Sequence, residues 1–356
     1  MKLVNRVLLY IKYSFLIINN KISTTKLYYV VEDADWSIKH DGQMVTSRLQ
    51  HLITSKLVIT HYGIRNSIIH YGSISTFLSQ DKIKLPHKSN KIIVTWFHIV
   101  PNDKRIKLIS QAIKYVDIWH TSCQSTQNKM ISMGIPKDKI VVIPLGVDLD
   151  YFSNPTKNKK ETLKNKFQIP KNKIVIGSFQ KDGNGWGEGL EPKLIKGPDI
   201  FCDVVEKLAK KYEIFVLLTG PARGYVKNRL YKAGIPYRHD FLENPNDVSD
   251  YFKSSDLYIV TSREEGGPKS ILESMACGVP IISTKVGMAP DLIESGKNGF
   301  LVDLENTESI YENACKIIEN KNLQELFVQN GLETIKNYNL SNVANQYYQK
   351  LYQDLI

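Results

Sequence analysis

Residues 256–303 read DLYIVTSREEGGPKSILESMACGVPIISTKVGMAPDLIESGKNGFLVD. The run Leu257-Tyr258-Ile259-Val260 has no polar alternation, which suits a parallel strand covered on both faces. It ends at Thr261 in a polar turn carrying Arg263, Glu264 and Glu265. Gly266 and Gly267 lack a Cβ and let the backbone approach a ligand closely. Pro268 fits the first position of a helix, where its missing N–H costs nothing. That helix is expected to run to about Cys277 and to stop at Gly278, a favoured residue just past a helix end. A buried strand, Val279–Ser283, follows. Such a unit makes an anion site at the helix N-terminus, where free N–H groups and the dipole meet a phosphate. Lys269 and Arg263 stand beside it in sequence. Glu273 lies five residues past Pro268, about 7–8 Å along the axis at the α-helical rise. This is roughly the offset between a diphosphate and the ribose of one nucleotide, and a carboxylate there can accept two ribose hydroxyl hydrogen bonds. Glu265 would face the other side of the diphosphate.

The same alternation of short apolar runs and helical stretches extends outward in both directions. In the first half, strands are expected at Leu27–Val31, Leu57–Thr60, Ile92–Trp96, Asp117–Thr121 and Ile140–Ile143. In the second they are expected at Lys173–Phe179, Glu213–Thr219, Asp256–Thr261, Val279–Ser283 and Phe300–Val302. Helices are expected between them, at Asp103–Tyr115, Gln124–Met133 and Pro198–Lys211. Repeated β-α-β units predict parallel α/β sheets, and there are enough strands for two. The lysine-dense stretch 154–172, with Pro155 and Pro170, reads as a linker between a domain at 26–153 and one at 173–335. A C-terminal helical segment, 336–356, is expected to pack back on the first domain.

The chain has 356 residues, long for one domain. Its net charge of +11 is unevenly divided. Residues 1–170 hold 25 Lys and Arg against 11 Asp and Glu, whereas 171–356 hold 22 against 25. A basic first half favours an anionic partner or is simply a lysine-rich surface. No apolar run reaches the roughly 18–20 residues a membrane span requires; the longest, Val7–Ile18, is interrupted by Lys12. Residues 1–25 read as a basic amphipathic helix that lies in a membrane interface or packs on the protein's own body. Four scattered cysteines form no CxxC pair, which suits a cytoplasmic protein, at most peripheral on the membrane's cytoplasmic face.

The 256–303 segment resembles the E-x7-E donor site of GT-B glycosyltransferases, specifically the large retaining family 4, or "glycosyl transferases group 1". Glu265 and Glu273 stand at its two glutamates. Met275-Ala276-Cys277-Gly278-Val279-Pro280 resembles its helix-end signature, and Gly299-Phe300-Leu301-Val302 its closing motif. Upstream, Met133-Gly134-Ile135-Pro136 and KIVVIPLGVD (Lys139–Asp148) resemble the end of the family's first domain. The resemblance covers most of the chain from about residue 90 onward and is weak before it. It implies a GT-B fold, two Rossmann-like α/β domains with parallel sheets facing a central cleft. It also implies retaining, metal-independent transfer from a nucleoside-diphosphate sugar to a glycan or lipid-linked acceptor held mainly by the first domain. No cofactor is expected. The first family glutamate contacts the donor sugar and the second the ribose, so Glu265 is expected in catalysis and Glu273 in donor binding, with Gly266, Gly267, Pro268, Lys269, Arg263 and Ser178. Lys196-Gly197 resembles the family's diphosphate "KG". The family's arginine is absent, and Lys181 is its candidate replacement, as a point charge without the bidentate fork. Between the two lysines lies the glycine-rich DGNGWGEGLEPKLI, either a lid over the diphosphate or a mobile surface loop. His98 follows a strand at the rim where ligands bind in open parallel sheets. Family members commonly have a histidine there; a structural role is the alternative. Trp36 reads as an acceptor-stacking or a core residue.

Other readings have less support. Asp33-Ala34-Asp35 and Asp148-Leu149-Asp150 match a D-x-D metal pattern but supply few hard ligands, so no metal is expected. No G-x-G-x-x-G follows the first strand, and no nucleic-acid module accompanies the basic half, so nucleic acid is not an expected partner. An anionic membrane surface is one. A non-catalytic GT-B homologue that binds nucleotide or glycan within an assembly is the alternative function, supported by the missing arginine.

Overall fold

The computed structural model describes residues 13–33, 37–100 and 102–356. Lys2, Arg6, Lys12 and Trp36, and with Ala34 and Asp35 most of the first D-x-D pattern, lie outside the described residues. The chain forms two compact units, Met1–Pro144 with Leu340–Ile356, and Leu145–Asn339.

The first unit is built on six parallel strands: β1 (Leu27–Val30), β2 (Ser55–Val58), β3 (Ile68–Tyr71), β4 (Lys91–Thr95), β5 (Ile118–Thr121) and β6 (Ile140–Val142). Their order is β2-β1-β3-β4-β5-β6. The chain leaves β1 in one direction for β2 and in the other for β3. That divergence creates a switch point at the carboxyl ends of β1 and β3, where open α/β sheets bind ligands. The second unit holds β7 (Ile174–Phe179), β8 (Ile214–Thr219), β9 (Tyr237–Asp240), β10 (Leu257–Val260), β11 (Ile281–Thr284) and β12 (Phe300–Val302), in the order β12-β11-β10-β7-β8-β9. Its switch point falls between β7 and β10. Every strand pair in both sheets is parallel.

Two strands, β3 and β9, are absent from the sequence expectation. The β3 run contains His70, a polar residue at a fully buried position. Burial of a polar ring requires hydrogen-bond partners. His70 Nδ1 lies 2.7 Å from the Tyr352 hydroxyl and Nε2 2.7 Å from Thr95 Oγ1, which in turn lies 2.8 Å from His120 Nδ1. Burial pushes the His120 pKa down to about 4 and that of His70 well below its ordinary value, so both rings are neutral and each supplies one donor and one acceptor. The network fixes the chain's C-terminus in the first unit: Val343, Ala344, Tyr347, Leu351 and Tyr352 are buried among Leu27, Tyr29, Ile68 and Ile93.

The domain boundaries also differ from expectation. The division falls at 144/145 and 339/340 rather than after 153 and 335. Within the second unit, Leu145 N donates to Met288 Sδ and Val147 N donates to the Tyr338 carbonyl. The expected linker 154–172 instead carries a helix, Lys157–Lys166, whose first turn is capped by the Thr156 side chain. Lys157, Lys159 and Lys166 are exposed, while Leu163, Phe167 and Ile169 pack with Val175, Phe215 and Tyr251. Lys160 and Lys164 both reach Asp256, at 2.8 and 3.0 Å. A helix with one narrow apolar stripe and many lysines loses the periodic signal on which sequence reading depends.

Residues 13–22 are helical. The buried Asn20 side chain donates to the backbone carbonyls of Thr60 and Tyr62, which seats this helix on the first unit. Phe15, Ile18 and Ile22 share its outer face at 64%, 56% and 75% exposure. One face of this helix packs on the protein and an apolar stripe remains outside, while residues 1–12 of the segment lie outside the described residues.

Candidate functional site in the second unit

The loops after β7 and β10 meet at the second switch point. Gly197 adopts a left-handed conformation, φ +62°, and a Cβ there would lie 1.9 Å from the Thr261 carbonyl oxygen. Only glycine permits that approach. The Thr261 hydroxyl donates to the Gly197 carbonyl at 2.7 Å, and the backbone N–H of Arg263 donates to the Ile195 carbonyl at 2.9 Å. These bonds place Lys196 against Glu265. Lys196 Nζ donates to Glu265 Oε1, which also accepts from Ser262 Oγ at 3.0 Å.

Behind Glu265, the Gly266-Gly267 turn is packed closely. A Cβ on Gly267 would stand 2.9 Å from Leu145 Cδ1, and one on Gly287 2.6 Å from the Gly266 carbonyl oxygen. Pro268 caps the helix Lys269–Ala276, so the helix starts one residue later than the sequence suggests. It ends at Gly278, at φ +65°. Glu273 is half-buried on this helix, and no side chain hydrogen-bonds to its carboxyl group among the described residues. Burial pushes its pKa up to about 7, opposed only in part by the charge of Lys269. A half-buried carboxyl group on this helix is suited to a ligand that brings hydroxyls.

One further lysine stands near Lys181 and Lys196 that sequence reading did not single out. Lys193, within the glycine-rich insertion, has its pKa lowered by burial first and then by the charges of Lys196 and Lys181, with Glu265 opposing. Three lysines therefore share one electrostatic neighbourhood. Lys193 was missed because its place depends on how the insertion folds. Residues 182–193 form a docked hairpin. Asn184 N donates to the Glu191 carbonyl, Lys193 N to the Asp182 carbonyl, and Gly224 N and Tyr225 N to the Glu188 and Gly189 carbonyls. At its tip Trp186 is 73% exposed, and Lys181 Nζ lies 3.7 Å from the centre of its ring.

Arg223, also unforeseen, explains how the end of β7 is held. It is fully buried and donates to the Ser178, Gln180 and Thr219 carbonyls at 2.8, 2.8 and 3.0 Å, and to Ser178 Oγ at 2.9 Å. Its Nε lies 3.0 Å from the buried Asp182 carboxyl group. Ser178 is thus committed inside the protein and is corrected from a donor contact to part of this brace. Arg263 is corrected likewise. Its guanidinium pairs with Asp199 through two 2.8 Å bonds, with Glu305, and with the Leu194 carbonyl, which takes all five of its N–H groups. It locks the turn to the start of helix Pro198–Ala209 and has no donor left for a phosphate.

Glu265, Gly266, Gly267 and Pro268 form one turn leading into the helix that carries Lys269 and Glu273, Lys196 pairs with Glu265, and Lys181 lies over the Trp186 ring. His98 belongs to the first unit, past β4, where its carbonyl accepts from the Trp96 indole at 3.0 Å. Asp148 Oδ1 accepts from Asp150 N at 3.2 Å, an ordinary turn contact within the second D-x-D pattern.

Comparison with known proteins places this geometry in context. Residues 190–334 match the family described as glycosyl transferases group 1. An uncharacterised glycosyltransferase of Haemophilus influenzae is 24% identical over 83% of this chain and 76% of its own length. The UDP-Gal:alpha-D-GlcNAc-diphosphoundecaprenol alpha-1,3-galactosyltransferase of Escherichia coli is 25% identical over 66% of this chain and 57% of its own. Among solved structures, HepE of Anabaena in complex with UDP-glucose superposes with a TM-score of 0.73 at 16% identity, covering 92% of this chain and all of that one.

Proposed function

We propose that this chain, a GT-B glycosyltransferase whose second unit contains the group 1 match, moves a sugar from a nucleoside-diphosphate sugar to a hydroxyl of a glycan or lipid-linked acceptor, with retention and without a metal ion. The observation that supports this reading is the Lys196–Glu265 pair, held next to a glycine turn and a helix start; Lys193 lies near enough to feel the charges of Lys196 and Lys181. As the anomeric C–O bond breaks, negative charge collects on the departing diphosphate. Fixed lysine charges and the helix start stabilise that charge where it develops, the task a divalent cation performs in other enzymes. Lys196 exchanges part of its bond to Glu265 for a phosphate oxygen, which frees Glu265 to accept hydroxyls of the donor sugar. Glu273 accepts the ribose hydroxyls. The acceptor hydroxyl attacks the oxocarbenium-like carbon from the face the diphosphate leaves and passes its proton to a diphosphate oxygen. The new C–O bond replaces the old one on the same face. UDP is the favoured nucleotide because the Anabaena neighbour binds UDP-glucose.

The proton NMR coupling of the product's anomeric centre tests this course. The donor's α or β configuration should persist in the first product formed; an inverted anomer contradicts it.

A lipid-linked acceptor is supported by the name of the Escherichia coli relative, the basic first half and the outward Phe15-Ile18-Ile22 stripe. The protein should co-sediment with phosphatidylglycerol vesicles at low salt and be released as salt rises, since surface attraction to anionic lipid is screened within a Debye length. Binding that ignores salt would contradict the electrostatic part.

A further inference from the structure

Lys181 is fixed through both of its neighbours in the chain. The Gln180 side chain donates to the Lys196 carbonyl at 3.3 Å, and Lys193 N donates to the Asp182 carbonyl at 2.7 Å. The backbone of Lys181 therefore leaves the end of β7 between the two other lysines. From inside, Arg223 donates to the Gln180 carbonyl at 2.8 Å and stands 3.0 Å from the Asp182 carboxyl group, so its grip brackets Lys181.

The ammonium is held separately, 3.7 Å from the centre of the Trp186 ring. The base of the hairpin that carries this ring is locked. A Cβ on Gly183 or on Gly189 would stand 2.2 Å from the Ala222 carbonyl oxygen. Trp186 itself is exposed at the tip, so burial in a core does not account for a tryptophan there. Two other lysines of this unit lie over aromatic rings, Lys207 over Tyr311 and Lys211 over Tyr212, and each also pairs with a glutamate. Lys181 makes no ion pair among the described residues.

That difference has a chemical consequence. An aromatic face attracts an ammonium through its quadrupole but carries no net charge. The ring orients Lys181 and leaves its positive charge whole, whereas a carboxylate partner would have to be displaced before a phosphate could bind. A lysine on its flexible stem loses side-chain freedom when it meets a phosphate, and an arginine's planar fork loses less. A ring that already fixes the ammonium removes part of that loss.

We propose that Trp186 is a positioning residue for sugar transfer, holding the Lys181 ammonium in place as an unneutralised charge for the donor's diphosphate. The inference rests on the transferase reading, in which Lys181 meets that diphosphate.

The test is a double-mutant cycle in the full chain, Trp186→Leu against Lys181→Gln, read by calorimetric titration with UDP and with inorganic pyrophosphate. Trp186→Leu should weaken both probes alike, by about five- to tenfold, the strength of a partly desolvated cation–π contact. Trp186→Phe keeps an aromatic face and should stay within about twofold of wild type. In the Lys181→Gln chain, Trp186→Leu should weaken neither probe further, because its effect passes through the missing ammonium. A merely structural role would not vanish in that background, nor be rescued by phenylalanine. Wild-type affinity in Trp186→Leu, an undiminished loss in the Lys181→Gln chain, or a loss for UDP without one for pyrophosphate overturns the positioning role and leaves the transferase reading standing. A wild-type chain that binds neither probe overturns that reading and this role with it.

Discussion

Glu273→Gln is expected to abolish most nucleotide binding while making the unliganded protein more stable above neutral pH. In the free protein burial raises the Glu273 pKa from 4.5 to about 7. The folded carboxyl group therefore holds its proton to higher pH than the unfolded one. Its contribution favours the fold below about pH 4.5, and this is lost as pH rises through about 7. Above pH 7 an ionised, half-buried carboxylate burdens the fold by an amount on the order of 1–2 kcal/mol after solvent screening. Glutamine removes that burden. A Tm a few degrees higher than wild type at pH 8, and equal to it near pH 5, is the expected result. Binding should move in the opposite direction. Two ribose hydroxyls donate to the carboxylate, and their loss should weaken UDP about 100-fold at pH 8. Because the ligand selects the ionised form, wild-type affinity should fall about tenfold per pH unit below pH 7, and the variant should show no such slope. Calorimetry across pH 5.5–8.5 and thermal melts on the same samples check both halves. Lower stability with the pH slope intact would remove Glu273 from the nucleotide site.

Lys196→Gln should reduce turnover by about 100- to 1,000-fold, the usual consequence of removing one fixed positive group from the place where charge develops. Lys196 is held by the Gly197 turn and paired with Glu265, so its position precedes ligand binding. Glutamine retains a hydrogen-bond donor for Glu265 and avoids leaving a half-buried carboxylate wholly unpaired. Lys193→Gln, farther from Glu265 but in the same lysine group, should cost less, about tenfold, and more in KM than in kcat. Steady-state kinetics with a fixed acceptor check the ordering. A larger loss at Lys193 than at Lys196 would reassign the leaving-group contact to the hairpin.

The central frame of the donor site was legible because its parts are local. The strand Leu257–Val260, the glycine turn, the proline and a helix closed by Gly278 lie within one short window, and each follows from backbone chemistry alone. Arg263 was misread because its partners, Asp199 and Glu305, lie 64 and 42 residues away and nothing local announces them. Lys193 and Arg223 were missed for the same reason. Their roles come from a hairpin docking on the loop after β8, and the insertion's composition signals a loop without saying where it lands. Strand β3 was hidden by His70, whose polarity is satisfied by Tyr352 from the far end of the chain. Strand β9, Tyr237-Arg238-His239-Asp240, is polar because it is a sheet edge with only β8 beside it.

Nucleotide release from UDP-, GDP-, ADP- and dTDP-sugars by the purified protein in EDTA, with acceptor present and Glu273→Gln beside it, tests the central claim most directly. The account predicts release from one donor, UDP-linked on the present reading, at a rate EDTA does not change and with most of it lost in the variant. Release that stops in EDTA and returns with a divalent cation would contradict metal-independent transfer, and release undiminished by Glu273→Gln would contradict the site itself.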